Sequence, residues 1–167
     1  MAPSSGRRRL PDLGPRGEGW VLGQFLLLAL LAVVSIPRLR AIAPQAALDW
    51  LIVAAGAGGM VAGGWVVLAS FRDLGPNLTP MPRPRDDAVL VERGIYGRIR
   101  HPIYAGLVLG SLGWSACTRS LPAIGVTLLL AIYFDLKSRR EEAWLADRYP
   151  AYDAYRRRTR RFLPGIY

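Results

Sequence analysis

Apolar positions along the chain fall in blocks, and the blocks set the elements. "WVLGQFLLLALLAVVSI" at 20–36 and "ALDWLIVAAGAGGMVAGGWVVLASF" at 47–71 each carry at most one charge. A helix crosses a bilayer with about 20 mostly apolar residues, so both blocks are predicted to span. Two shorter blocks follow at 103–118 and 121–134, separated by "TRSLP". Backbone polar groups in lipid must be satisfied within the segment, and this pair is predicted to form a helical hairpin that also spans. After Phe134 the chain turns strongly charged, predicting a polar helix interrupted at or near Pro150.

The expected fold is an all-α integral membrane helical bundle of about four transmembrane helices with a helical C-terminal region in the cytoplasm. Residues 1–19, rich in Pro, Gly, Ser and Arg, are predicted to be disordered. Residues 20–71 hold the first two spans. Residues 72–101 form a Pro-rich cytoplasmic connection, in which "GPNLTPMPRPRDD" excludes a regular helix. Residues 102–167 hold the hairpin and the tail. In the second span Ala55, Gly59 and Gly63 recur every four residues, a small-residue face that lets another helix backbone approach closely. The first block exceeds the roughly 7–15 apolar residues of a secretory signal and lacks a small-x-small cleavage site before Pro37, so it is read as a retained anchor.

Composition supports the membrane reading: 51% of the 167 residues are hydrophobic and mean hydropathy is +0.20. Charge then orients the bundle. With four spans, the termini and the 72–101 connection share one side and hold 19 Lys and Arg, against 3 on the other. The positive-inside rule puts both termini in the cytoplasm. The net charge of +10 reads as topology plus attraction to anionic lipid head groups. Nucleic acid is not an expected partner, because "RRR" at 7–9 and "RRRTRR" at 156–161 flank the membrane and form no separate basic domain. A single cysteine, Cys117, excludes an internal disulfide, and with one histidine the usual structural zinc sets cannot be assembled. No metal site is expected.

Two polar clusters remain. In "RGIYGRIRHPIYAG", residues 93–106, Pro102 favours a helix start, whose free N–H groups and dipole attract anions. Arg100 adds a planar cation, His101 a titratable nitrogen and Tyr104 a hydroxyl one turn deeper. Snorkelling to head groups would explain the same residues structurally. The second cluster is Glu141 and Glu142, followed by Tyr149, Tyr152 and Tyr155 at intervals of three. Local salt bridges and tail packing are the structural reading there.

Taken together, "LVERGIYGRIRHPIYAG", the hairpin and "EEAWLADRYPAYDAYRRRTRRFLP" resemble the isoprenylcysteine carboxyl methyltransferase family and, more distantly, the phospholipid N-methyltransferases. The resemblance covers residues 75–167. Gly94, Tyr96, Arg100, His101, Pro102, Tyr104 and Gly106 stand on one family motif, Glu141 and Glu142 on the paired glutamates, and Tyr152, Tyr155, Arg158, Arg161 and Pro164 on the terminal pattern. Pro150, Thr159 and Arg160 depart from it. The resemblance implies S-adenosyl-L-methionine held between hairpin and tail by Tyr96, Arg100, His101, Pro102, Tyr104, Gly106, Glu141, Glu142, Tyr152, Tyr155 and Arg158. It makes His101, Glu142 and Arg100 the catalytic candidates. Either glutamate could meet the cofactor's amine and Arg100 its carboxylate. The expected acceptor is a lipid-like or amphiphilic small molecule that enters from the bilayer. Two other readings are an NADPH-dependent membrane reductase resembling the sterol reductases, and a non-catalytic membrane scaffold.

Overall fold

The structure, a computed structural model, describes residues 10–39, 44, 46–84 and 86–165. It is all-helical among these residues. Four long helices follow one another: α1 (Glu18–Leu39), α2 (Ala47–Leu74), α3 (Pro102–Cys117) and α4 (Leu121–Arg148), with a short α5 (Tyr152–Arg158) in the tail. At 1.5 Å per residue α1, α2 and α4 reach ~33–42 Å, enough for a bilayer, whereas the 16 residues of α3 reach only ~24 Å. Three helices are therefore long and apolar enough to cross, and α3 is the short one. Outward-facing Leu48, Trp50, Leu51, Val61, Trp65 and Leu68 give α2 an apolar exterior that suits lipid.

The largest helix contact is α2 on α3, and it is made by glycines. A Cβ on Gly63 would stand 2.5 Å from the Gly106 carbonyl oxygen, and one on Gly56 2.6 Å from that of Gly113. No side chain fits there, so the two backbones touch and dispersion acts along their whole length. The expected face is corrected in one member: Ala55 points outward, and Gly56 takes its place beside Gly59 and Gly63. The hairpin turn is capped by its own residues. Ser120 Oγ accepts from Ala123 N at the start of α4, and Pro122 occupies the first turn.

On the other flank, α1 packs on α4 around Leu31, Ala123 and Val126. A polar tie reinforces it, with Tyr133 OH of α4 donating to the Trp20 carbonyl at 2.8 Å, and Trp114 Nε1 of α3 donates to Ser35 Oγ of α1 at 2.9 Å. No comparable α1–α2 interface exists among the described residues. The two helices instead flank α3 and leave a slot between them.

Residues 10–17 differ from the disorder predicted for 1–19. Pro11 O accepts from Trp20 Nε1 at 3.1 Å, Asp12 pairs with Arg140, and Gly17, at φ +83, packs on Pro82 and Trp144. Low hydrophobicity predicted disorder, but specific docking onto α4 and the Pro-rich connection orders the segment. The first nine residues lie outside the described part. The charged helix expected after Phe134 is also not separate: it is the second half of α4, which ends at Arg148, two residues before Pro150.

Candidate functional site

Three pieces converge at the polar end of the bundle: the start of α3, the charged half of α4 and the tail. Pro102 is the first residue of α3, as expected, with His101 at the cap position. The tail returns to this step through backbone hydrogen bonds. Arg100 N donates to Arg160 O at 2.8 Å, Arg160 N to Arg98 O at 3.1 Å and His101 N to Arg161 O at 3.0 Å. Tyr155 OH adds a bond to the Tyr96 carbonyl at 2.8 Å. Further out, Gly94 adopts φ +60 with its face against the Asp73 carboxylate, which accepts from Ile95 N at 2.8 Å. A side chain at Gly94 would be strained by its φ and would collide with that carboxylate.

At the centre sits Glu142, whose side chain is 4% exposed. Its Oε1 accepts from Arg100 Nε at 2.9 Å and from Arg161 Nε at 3.2 Å, and Oε2 accepts from Arg161 Nη2 at 3.2 Å. His101 Nε2 lies 3.2 Å from the same Oε1, and since a carboxylate only accepts, this nitrogen carries the hydrogen. Arg100 is engaged on its other side too, donating to Thr159 O at 2.6 Å and Arg156 O at 3.2 Å. Thr159, a departure from the family pattern, is thus a fixed part of the knot, 3% exposed, with its hydroxyl on Tyr155 O at 2.8 Å.

Glu141 faces the other way. It lines a cavity of about 460 Å³, roofed by the Pro-rich connection and walled by α1, α2, α3, α4 and the tail. Tyr104 OH donates to Glu141 Oε2 at 2.9 Å, and the Tyr104 ring stacks between His101 and Phe134. Tyr96, Tyr152 and Tyr155 also line the cavity. Burial pushes all three hydroxyls up from the usual tyrosine value, so they stay neutral donors. The Tyr152 hydroxyl is buried without a hydrogen-bond partner among the described residues. Such an orphan donor is uncommon in a native fold and leaves room for a ligand acceptor.

The cavity is polar at one end only. Toward the membrane its walls become Phe25 and Leu28 of α1, Val67 and Phe71 of α2, and Ile103 and Leu107 of α3. From Val67 and Leu107 it continues as an open groove past Gly64, Gly110 and Trp114, along the slot between α1 and α2.

The residues read from sequence therefore separate into groups. Tyr96, His101, Tyr104, Glu141, Tyr152 and Tyr155 line the cavity together. Arg100 also reaches its wall, but its guanidinium bonds to Glu142 and the tail. Glu142 and Pro102 stand behind the wall, Gly106 lies deeper against Gly63, and Arg158 pairs with Glu92 at the surface. The sequence reading missed Lys137, Gln24 and Asn77, which also line the cavity. A signal for Lys137 exists: it is the sole lysine of the chain, beside 21 arginines.

The family described as phospholipid methyltransferase matches residues 51–152, from α2 through the cavity to Tyr152. The chain is 37% identical over 83 residues to the cobalt-zinc-cadmium resistance protein CzcN of Cupriavidus metallidurans. It is 33% identical over 83 residues to the nickel-cobalt-cadmium resistance protein NccN of Alcaligenes xylosoxydans xylosoxydans. Each match covers 49% of this chain, and 38% and 39% of the respective relative, so the chain spans under two fifths of their length. Among the described residues no group of three or more His, Cys, Asp or Glu is placed to hold a metal ion.

Proposed function

Because the chain belongs to the phospholipid methyltransferase family, we propose that it transfers a methyl group from S-adenosyl-L-methionine to an amphiphilic acceptor. The observation that carries this reading is the two-ended cavity, polar beneath the Pro-rich connection and apolar where it opens between α1 and α2. The polar end fits the cofactor: the Glu141 carboxylate is suited to an α-amino group, and the orphan Tyr152 hydroxyl to an acceptor atom. When bound, the cofactor supplies a methyl carbon already activated by its sulfonium.

The protein's own part is then alignment and exclusion of water. Glu142 and Arg100 act by holding the tail, and with it Tyr152 and Tyr155, against the start of α3. A carboxylate acceptor needs no base. An amine or thiol must lose a proton, and His101 and Glu141 are the titratable groups on the wall placed to take it. The apolar slot keeps the acceptor's chain in hydrocarbon while its head reaches the polar end. If α3 crosses together with the three longer helices, the 19-to-3 imbalance of basic residues puts both termini in the cytoplasm. The exposed Arg156 and Arg157 of α5 then face anionic head groups.

The test is direct binding to detergent-purified protein. S-adenosyl-L-methionine is expected to bind and NADPH is not; NADPH binding alone would replace this reading with the reductase. Reporters fused after Tyr167 and within 75–90 are expected to report cytoplasm, and one near Pro44 the opposite side.

A further inference from the structure

Lys137 lies between the two ends of the cavity. It is 1% exposed, sits one turn before Glu141 on α4, and hydrogen-bonds across to Gln24 Oε1 of α1. Its ammonium stands 5.1 Å from the centroid of the Tyr104 ring on α3. No carboxylate forms an ion pair with it among the described residues: Asp135, nearest in sequence, pairs with Arg139 and Arg161, and Glu141, one turn on, is bonded by Tyr104 and acts on the ammonium only from beyond ion-pair distance. A buried ammonium whose direct contacts are an amide oxygen and an aromatic face lacks the close ion pair that burial normally demands. The chain has used arginine at 21 other basic positions, several of them in carboxylate pairs, and lysine here alone. A compact, three-donor point charge fits a narrow wall where a planar fork does not.

Its neighbours say which ligand it meets. Gln24 precedes Phe25, and Phe25 and Leu28 wall the apolar slot, whereas Tyr96, Tyr152 and Tyr155 lie at the tail end. The unpaired cation thus marks the point where the head of a molecule lying in the slot arrives. We infer that Lys137, with Gln24 beside it, recognises an oxyanion, a carboxylate or a phosphate, on the head group of the acceptor. This rests on the methyltransferase reading for the word acceptor. The anion site itself rests on the geometry.

The experiment uses the full chain in nanodiscs and three probes with one chain length: dodecyl phosphate, dodecanoate and dodecanol. S-adenosylhomocysteine binding is measured in parallel. Lys137→Met is expected to weaken at least one anionic probe tenfold or more, and which of the two falls further identifies the anion. Dodecanol and S-adenosylhomocysteine should stay within twofold. Lys137→Arg keeps the charge but not the compact shape and should retain only part of the anion preference, while unchanged S-adenosylhomocysteine binding in each variant controls for folding. Equal weakening of dodecanol and the anions, or no loss for either anion, overturns the proposal. A selective loss of S-adenosylhomocysteine binding overturns it too, since the cation would then serve the cofactor's own carboxylate. If the unmodified chain prefers the anions through Lys137 but does not bind S-adenosylhomocysteine at all, the anion site stands and the methyltransferase reading falls.

Discussion

The glycine contact of α2 with α3 and the polar knot around Glu142 are both tightly packed, but they are sensitive to opposite things. In the first, Gly56, Gly63, Gly106 and Gly113 bring two backbones together without a charged side chain between them, so it tolerates no added volume. In the second, Arg100, His101 and Arg161 converge on one carboxylate, so it tolerates no lost charge. The first positions the floor of the apolar slot and the second positions the tail over the cavity. Shape holds the membrane half together, and electrostatics holds the polar half.

The strongest test of this contrast is on the shape side. Gly63→Leu drives a side chain into the Gly106 carbonyl and the Gly110 backbone, forcing the helices apart, and loss of monodisperse protein on size exclusion is expected. Gly110→Leu is its counterpart on the facing helix: a Cβ there meets nothing within 4 Å. That variant should fold normally and narrow the groove that Gly110 lines, slowing long-chain acceptors more than short ones. Gly106, which lines the same groove as Gly110, behaves like Gly63 because its Cβ would stand 2.7 Å from the Gly63 carbonyl oxygen.

Next comes charge. Glu142→Ala leaves Arg100 and Arg161 facing a buried void, and breaking such a pair costs about 3–5 kcal/mol; thermal unfolding in detergent should fall accordingly, with the tail becoming sensitive to protease. Glu141→Gln changes the neighbouring residue and should do the reverse, leaving the unfolding temperature nearly unchanged while weakening S-adenosyl-L-methionine roughly tenfold through a lost charge-assisted bond. Equal effects of the two on stability would refute the division of labour between the glutamates. Smallest is Tyr155→Phe, which removes one neutral hydrogen bond to Tyr96 O and should cost about 1 kcal/mol, measurable as a modest shift of the same transition.

The sequence by itself determined what is additive along the chain. Block hydrophobicity located the long helices, the imbalance of basic residues set the polar end apart, Pro102 marked the start of α3, and the "RHPIY" and "EE" clusters named Arg100, His101, Tyr104 and Glu141 of the cavity wall. What it could not decide was direction. Adjacent residues on a helix point about 100° apart, so nothing local tells which of Glu141 and Glu142 looks into the cavity and which into the knot. The same angle moved the close helix contact from Ala55 to Gly56. Arg100 looked available for a ligand until the returning tail supplied Thr159 O and Arg156 O, carbonyls from 56 and 59 residues away. Lys137 looked like one more charge in a basic helix until α1 and α3 closed over it. Partners that meet across such separations are chosen by how whole helices pack, and only the tertiary structure decides that.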